Sequence, residues 1–498
     1  MLSHRCNVRS ATAGAGAGRP EWAAARVGCG AVGIGNVAPV AEQLVIASNR
    51  GPLSFRRDES GALVARQGAG GLVSSLGPLI QGTGATWVAV AMSDDDRAAA
   101  AQGVMEAEGF RYRSLVLDPH VQRMAYDVVS NATLWFLNHR LYDLSRRPRI
   151  DRHWREAWDA YRQVNRSFAE VISAEAPAGA TVLVQDYHLS LVGTWLAQER
   201  PDLRAVHFTH TPFMDPVDLR VLPSDVAEEL LGGLASHVAC GFHTERWAEA
   251  FGACCDEVLG ARPPIFVAPL APDADNLAEV AASDACRSAG ERLDEVIGAR
   301  RIILRVDRLE LSKNLLRGFL AYDELLETRP EWVGRVVFVA LVYLSREGLP
   351  EYLAYRQEVE GLAERINARW ATPGWEPIIL DTRDDYPRSI AALARYDVLL
   401  VNPVRDGLNL VAKEGPLVNT NDGVVALSRE AGVWDELAGL ALEVNPFDVE
   451  GTADVLAAAL AMAPEDRRAH AVALRQVARR RTPLDWLEDQ LSAARSSR

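Results

Sequence analysis

The chain has 498 residues, too many for one hydrophobic core, which implies two or three domains. It is 48% hydrophobic and 24% charged, as in ordinary globular proteins, and its formal net charge of −14 argues against nucleic acid or an anionic membrane as main partner. No apolar run approaches the roughly 18 residues of a membrane helix, and six cysteines without a zinc-ligand spacing fit a reducing cytosol.

Residues 1–42 come first in chain order. They are Ala/Gly-rich, with Arg5, Arg9, Arg19 and Arg26 against one early acid, Glu21. Such a stretch cannot bury enough surface to fold and lacks the apolar core of a secretory signal. It reads as a disordered tail, or as residues ahead of the true start of translation.

From Gln43 onward, short apolar runs alternate with helical periods. The runs are Leu44–Ser48, Trp87–Ala91, Thr181–Val184, Ala205–Phe208, Ile265–Ala268, Ile302–Val306, Val336–Leu341, Ile378–Leu380, Val398–Val401, Val424–Leu427 and Leu440–Val444. They are β-branched and mostly unalternating, as parallel strands buried on both faces should be. Helical stretches such as Trp154–Ser173, Asp225–Leu234, Leu315–Leu326 and Glu351–Trp370 lie between them. The repetition predicts an α/β fold of doubly wound parallel sheets, one on each side of Pro269–Pro272.

Polar clusters follow the strands. In order they are Asn49-Arg50, Gln185-Asp186-Tyr187-His188, Thr209-His210-Thr211-Pro212, Asp307-Arg308, Ser345-Arg346 and Arg405-Asp406. One cluster is ordinary loop chemistry; six, from both halves, suit a cleft between two facing sheets. Gly68-Ala-Gly70-Gly71-Leu72 leads into a helix at Val73–Leu79 and offers backbone N–H groups to a sugar or phosphate, or is a simple turn. Tyr126 and Trp135 suit a wall for a sugar ring, or a core aromatic pair. Asp186 suits an acceptor hydroxyl, and His210 a hydroxyl or a proton, with His188 competing for that role. Arg308 and Lys313, five apart past a strand, suit a diphosphate, or form a solvated charge pair. Arg50 and Arg346, at strand ends in opposite halves, suit a monophosphate between them. After Val398–Val401, Asp406, Gly407 and the helix start near Asn409 and Leu410 offer an acid and unpaired N–H donors, and Glu414 follows. The acid pairs Asp94/Asp96 and Asp273/Asp275 read as solvated loops, so no metal site is assigned.

These motifs together resemble the trehalose-6-phosphate synthase family from Gln43 to about Gln490. The carriers are Ser48-Asn-Arg50, Gly70-Gly-Leu72, Ser130-Asn-Ala-Thr-Leu-Trp135, Gln185-Asp-Tyr-His-Leu189, His210-Thr-Pro-Phe213, Val306-Asp-Arg-Leu-Glu-Leu-Ser-Lys313, Ser345-Arg-Glu347 and Arg405-Asp-Gly-Leu-Asn-Leu-Val-Ala-Lys-Glu414. The resemblance implies a GT-B architecture of two facing Rossmann-like domains. Residues 43–270 would bind the acceptor and 271–480 the nucleotide sugar, with a C-terminal helix in 481–498 packing back on the first domain. It implies a cytoplasmic enzyme, without metal or cofactor, that transfers glucose with retention from a nucleoside-diphosphate glucose (UDP or GDP) to glucose 6-phosphate. Arg50 and Arg346 would hold the acceptor phosphate, with Trp87, Tyr126 and Trp135 on the acceptor side and Asp186 on its hydroxyls. Arg308, Lys313 and backbone groups at Gly70, Gly71, Asn409 and Leu410 would serve the donor diphosphate. Asp406 and His210 would hold the transferred glucose, and Glu414 the ribose. The sequence departs from the family pattern at Glu310, Leu311 and Asn314, at Val88–Ser93, at Pro416, which should shorten or kink its helix, and at Gly432-Val-Trp434. These departures leave room for another nucleotide sugar, for a pseudo-glycosyltransferase joining cyclitols, or for a catalytically silent sugar-phosphate sensor. The partners are small molecules on any of these readings, and the oligomeric state, a homo-oligomer included, is left open.

Overall fold

The computed structural model describes residues 43–67, 71–103, 105–346 and 348–496. In chain order its strands are β1 (Leu44–Ala47), β2 (Leu53–Arg57), β3 (Leu63–Gln67), β4 (Thr86–Val90), β5 (Met105–Ala107), β6 (Phe110–Leu115), β7 (Thr181–Gln185), β8 (Arg204–Thr209), β9 (Ala239–Phe242), β10 (Ile265–Val267), β11 (Arg301–Arg308), β12 (Val336–Tyr343), β13 (Ile378–Asp381), β14 (Val398–Val401), β15 (Val424–Ser428) and β16 (Leu442–Val444). Every apolar run named above overlaps a strand. Strands β2, β3, β5, β6 and β9 were not anticipated. The first two form a charged antiparallel hairpin. Strands β5 and β6 carry Glu106, Arg111 and Arg113 at a sheet edge, and β9 reads Ala-Cys-Gly-Phe, with no β-branched residue.

Two sheets result. The first has the order β10-β9-β8-β7-β1-β4-β6-β5 and is parallel except for β5 against β6. The second, β13-β12-β11-β14-β15-β16, is parallel throughout and has the strand order of a dinucleotide-binding sheet. Register places Ile46 opposite both Trp87 and Leu183, and Leu304 opposite both Val339 and Leu399. The winding direction reverses between β1 and β7 in one sheet and between β11 and β14 in the other. Connections leave such a point in opposite directions and open a crevice at the strand C-termini. Arg50 and Asp186 follow the first pair of strands; Arg308 ends β11 and Asp406 follows β14.

One apolar core joins the sheets, running from Ile46, Trp87 and Leu183 through Leu304 and Leu399 to Trp486, Leu487 and Leu491. The last three lie on the helix Pro483–Ser496, and Trp486 meets Phe208 of β8 edge-on at 5.1 Å. The far side of the first sheet is covered by the helix Arg152–Glu175, started by Asp151, whose side chain accepts from the Trp154 N–H. Its buried Ala157, Tyr161, Val164, Phe168 and Ile172 recur at helical spacing, so one face meets the sheet. The helix Leu315–Thr328 does the same for the second sheet. Two of the acids read as solvated are helix caps. Asp96 is buried, closing a capping box with Ser93 and accepting from the Phe55 N–H, and Asp273 caps Ala274–Ala282.

Candidate active site

The crevice of the first sheet is built around an aromatic stack. Tyr126 lies against His188 (ring centroids 5.6 Å apart) and His188 against Tyr187 (4.2 Å). Arg50, exposed, donates to Tyr126 Oη at 3.4 Å, and Arg346, reaching across from the second sheet, donates to Tyr187 Oη at 3.2 Å. The two arginines expected to share a phosphate thus stand at the two ends of one stack. Tyr126 belongs to a π-helical stretch, Met124–Leu134. The widened turn is held by Thr133, whose hydroxyl donates to the Val128 carbonyl five residues back while accepting from Trp154 Nε1. Such stretches concentrate at functional sites. Asp186 accepts from the backbone N–H of His210 at 3.2 Å and has a positive φ of 71°. Burial raises its pKa, and it lowers those of His188 and His210 to about 4, so both rings are neutral at pH 7.

The crevice of the second sheet is dense with charge. Glu310, 2% exposed, is ion-paired with Arg308 (3.0 Å) and accepts from Arg346 (3.1 Å) and from Ser345 Oγ (3.1 Å), all through Oε1. Burial alone would raise its pKa, but Arg308, Arg346 and Lys313 outweigh it and hold the carboxyl at about 2. Lys313 Nζ lies 2.6 Å from Asp406 Oδ2, which also accepts from Asn409 Nδ2 at 3.1 Å. Burial disfavours both charges, but each partner stabilises the other's ionised form. Arg305, fully buried, donates to Asp307, to Asn402 Oδ1 and to the Lys313 carbonyl, bracing the end of β11 against the loop after β14.

The two crevices meet. Glycine is required at 407 because a Cβ there would collide with the His210 carbonyl. Trp247 Nε1 donates to the Gly407 carbonyl at 2.9 Å, and Arg405 donates to the Phe213 carbonyl at 2.8 Å. Gly71, opening the helix Gly71–Ile80, sits where a Cβ would lie 3.3 Å from Leu410 Cδ1. Gly70 lies outside the described residues. Asn409 has a φ of 82° and precedes the helix Val411–Val418. On that helix burial raises the pKa of Glu414 to about 7.

Two aromatic residues expected on the acceptor side are buried. Trp87 is 0% exposed; its indole donates to Ser48 Oγ, which in turn donates to the Arg50 carbonyl. It supports the strand end. Trp135 is 2% exposed, with His139 stacked on one side at 4.2 Å and the Arg346 guanidinium 4.9 Å from the ring centroid. It is a platform for that arginine. Glu310, Tyr187, Tyr352 and Arg305 were not singled out from the sequence as site residues. An acid between two bases in Arg308-Leu-Glu310-Leu-Ser-Lys313 was the available signal for the first. Nothing local distinguishes Tyr352, whose hydroxyl accepts from Arg346 at 2.5 Å.

Residues 42–496 match the profile of glycosyltransferase family 20. An alpha,alpha-trehalose-phosphate synthase (UDP-forming) of Dictyostelium discoideum is 29% identical over 462 residues, spanning 89% of this chain and 61% of that protein. A trehalose-6-phosphate synthase of Mycobacterium sp. (strain KMS) is 33% identical over 457 residues, 87% of this chain and 91% of its own length. The crystal structure of an alpha,alpha-trehalose-phosphate synthase (UDP-forming) from Burkholderia xenovorans in complex with glucose-6-phosphate has a TM-score of 0.79 at 27% identity, covering 91% of this chain and 100% of that one. This chain therefore spans less than two thirds of the Dictyostelium protein and nearly all of the other two. With a matching profile that takes in both sheets and both crevices, the chain belongs to glycosyltransferase family 20, the trehalose-6-phosphate synthases, and shares their GT-B architecture.

Proposed function

We propose that this chain transfers glucose, with retention, from a nucleoside-diphosphate glucose to glucose 6-phosphate, giving alpha,alpha-trehalose 6-phosphate. The observation that carries the reading is the shared carboxylate of Glu310. It sets Arg308, assigned to the leaving diphosphate, and Arg346, assigned to the acceptor phosphate, on a single oxygen atom. Two anionic groups one sugar apart suit that spacing. The names of the Dictyostelium and Burkholderia proteins, which are UDP-forming synthases, support the same reading.

In this mechanism the diphosphate leaves toward Arg308, Lys313 and the N-terminus of Val411–Val418, which stabilise its developing charge. The acceptor hydroxyl approaches from the same face, held by Asp186, and gives its proton to the departing phosphate oxygen. Asp406 is tied to Lys313 and Asn409. That suits it to hold sugar hydroxyls rather than attack the anomeric carbon, unlike the nucleophile of retaining hydrolases. Incubation with glucose 6-phosphate and either UDP-glucose or GDP-glucose, with the product identified by mass and anomeric coupling, tests the assignment and selects the donor. Free glucose should be a very poor acceptor, because it leaves the phosphate-binding guanidinium groups unanswered. Turnover of free glucose comparable to that of glucose 6-phosphate would defeat the reading.

A further inference from the structure

His210 Nε2 lies 2.9 Å from Gln185 Oε1 at the end of β7. Gln185 has no exposed surface, and its Nε2 donates to Gln490 Oε1 at 3.1 Å. Gln490 is equally buried, on the helix Pro483–Ser496, and its own Nε2 reaches the Trp486 carbonyl at 3.5 Å. Amide and imidazole orientations follow from such networks, and this one has a fixed origin. A backbone carbonyl can only accept. Gln490 must therefore turn its NH2 toward Trp486 and its oxygen toward Gln185. Gln185 must then give its NH2 to Gln490 and its oxygen to His210. An amide oxygen also only accepts, so the imidazole nitrogen facing it must carry the proton.

We propose that Gln185 and Gln490 are positioning residues: they hold His210 in the Nε2–H tautomer and leave Nδ1 as an acceptor for a substrate hydroxyl. The polarity is passed from the last helix of the chain to a residue at the opening of the crevice, across 305 positions between Gln185 and Gln490. The ring is otherwise packed against Phe208, His243 and Trp486, at centroid separations of 5.1, 5.2 and 5.6 Å. Burial keeps it neutral, so tautomer rather than charge decides which hydrogen bonds it makes. The role of Nδ1 rests on the proposed function, but the tautomer does not.

The test uses the full chain, unliganded, with 15N-labelled histidine. Long-range proton–nitrogen spectra distinguish the two tautomers, and loss of one signal set in His210→Gln assigns the residue. The wild type should show the Nε2–H pattern. Gln490→Leu keeps the volume but removes the amide, so Gln185 is free to turn and the Nδ1–H form should appear. Gln490→Glu, ionised or not, still offers an oxygen to Gln185 and should keep the wild-type pattern. Turnover should fall about tenfold in Gln490→Leu, the value of one hydrogen bond, and recover in Gln490→Glu, with the acceptor KM little changed. A wild type in the Nδ1–H form would overturn the proposal, even if the variants fail to fold. So would Gln490→Leu with an unaltered tautomer, which would reduce Gln490 to a packing residue. The Nε2–H pattern in a chain that makes no trehalose phosphate would uphold the relay and defeat the proposed function alone.

Discussion

Asp186 shows how a single residue can trade stability for position. Its φ of 71° with ψ of 165° lies in a region almost confined to glycine, and holding another residue there costs about 1–3 kcal/mol. The strand before it, the His210 N–H and the short helical turn after it fix that conformation. Asp186→Gly should therefore raise the melting temperature while abolishing turnover; a lower melting temperature would show that the backbone is not strained. Glu414 gives a pH signature. Burial raises its pKa from 4.5 to about 7, so its protonated form favours the folded state. That contribution is complete below pH 4.5 and is lost as pH rises through about 7. In the proposed role of Glu414, holding ribose hydroxyls, the ionised form is wanted instead. The donor KM should therefore fall between about pH 6 and 8, and Glu414→Gln should flatten the profile; an equal slope in the variant would rule Glu414 out. Both residues were legible as acids after buried strands. Glu310 was visible only as a departure from a motif, because nothing in the sequence shows that Arg346 arrives beside it. Asn314, another departure, adopts a φ of 61°, a left-handed conformation that asparagine tolerates better than most residues.

At the scale of elements, the parallel strands could be read because both of their faces are buried, and the hairpin and edge strands could not, because charge interrupts them. The π-helical stretch was invisible, since its register depends on a hydroxyl of Thr133 and an indole contributed by a different helix. Pro416 sits inside its helix, which spans only Val411–Val418. The link from Lys313 to Asp406 joins the end of β11 to the loop after β14, and this separates two substitutions that look alike in sequence. Arg308 is 45% exposed, and its removal leaves Glu310 still paired with Arg346. Arg308→Ala should lose about a hundredfold in kcat, the usual effect of removing one such donor, with little change in melting temperature. Lys313→Ala leaves the largely buried Asp406 carboxylate without its cation and should cost about 3 kcal/mol of stability as well. Equal thermal stability of the two variants, measured by calorimetry, would contradict that pairing.

Across the whole molecule, the sheets are joined by a common core, by the backbone contact at Gly407 and by the final helix. We propose that the chain divides into two units at Pro269–Pro272, between β10 and the helix Ala274–Ala282. Lys413, buried on the helix Val411–Val418, donates to the Leu270 carbonyl in that segment at 3.0 Å and pairs with Glu436 at 2.5 Å. A change at that helix therefore has a direct hold on the connection. The sequence announced two parallel sheets. How closely the crevices approach was not legible, because it depends on backbone atoms meeting at glycines.

The pairing of Arg308, Arg346 and Lys313 with carboxylates has a consequence for encounter rates. A free arginine cluster would draw anions from a distance. Here Glu310 and Asp406 already offset two of the three positive charges on Arg308, Arg346 and Lys313, and the chain as a whole carries −14. An incoming sugar phosphate is repelled over long range and attracted only on contact. Salt weakens the distant force first, since the screening length is about 10 Å at 0.1 M. The value of kcat/KM should accordingly climb as ionic strength is raised from about 10 to 100 mM before it declines. Stopped-flow or initial-rate titration with an inert salt reads this directly, and a steady decline from the lowest salt would mean that the crevice cations reach beyond their partners.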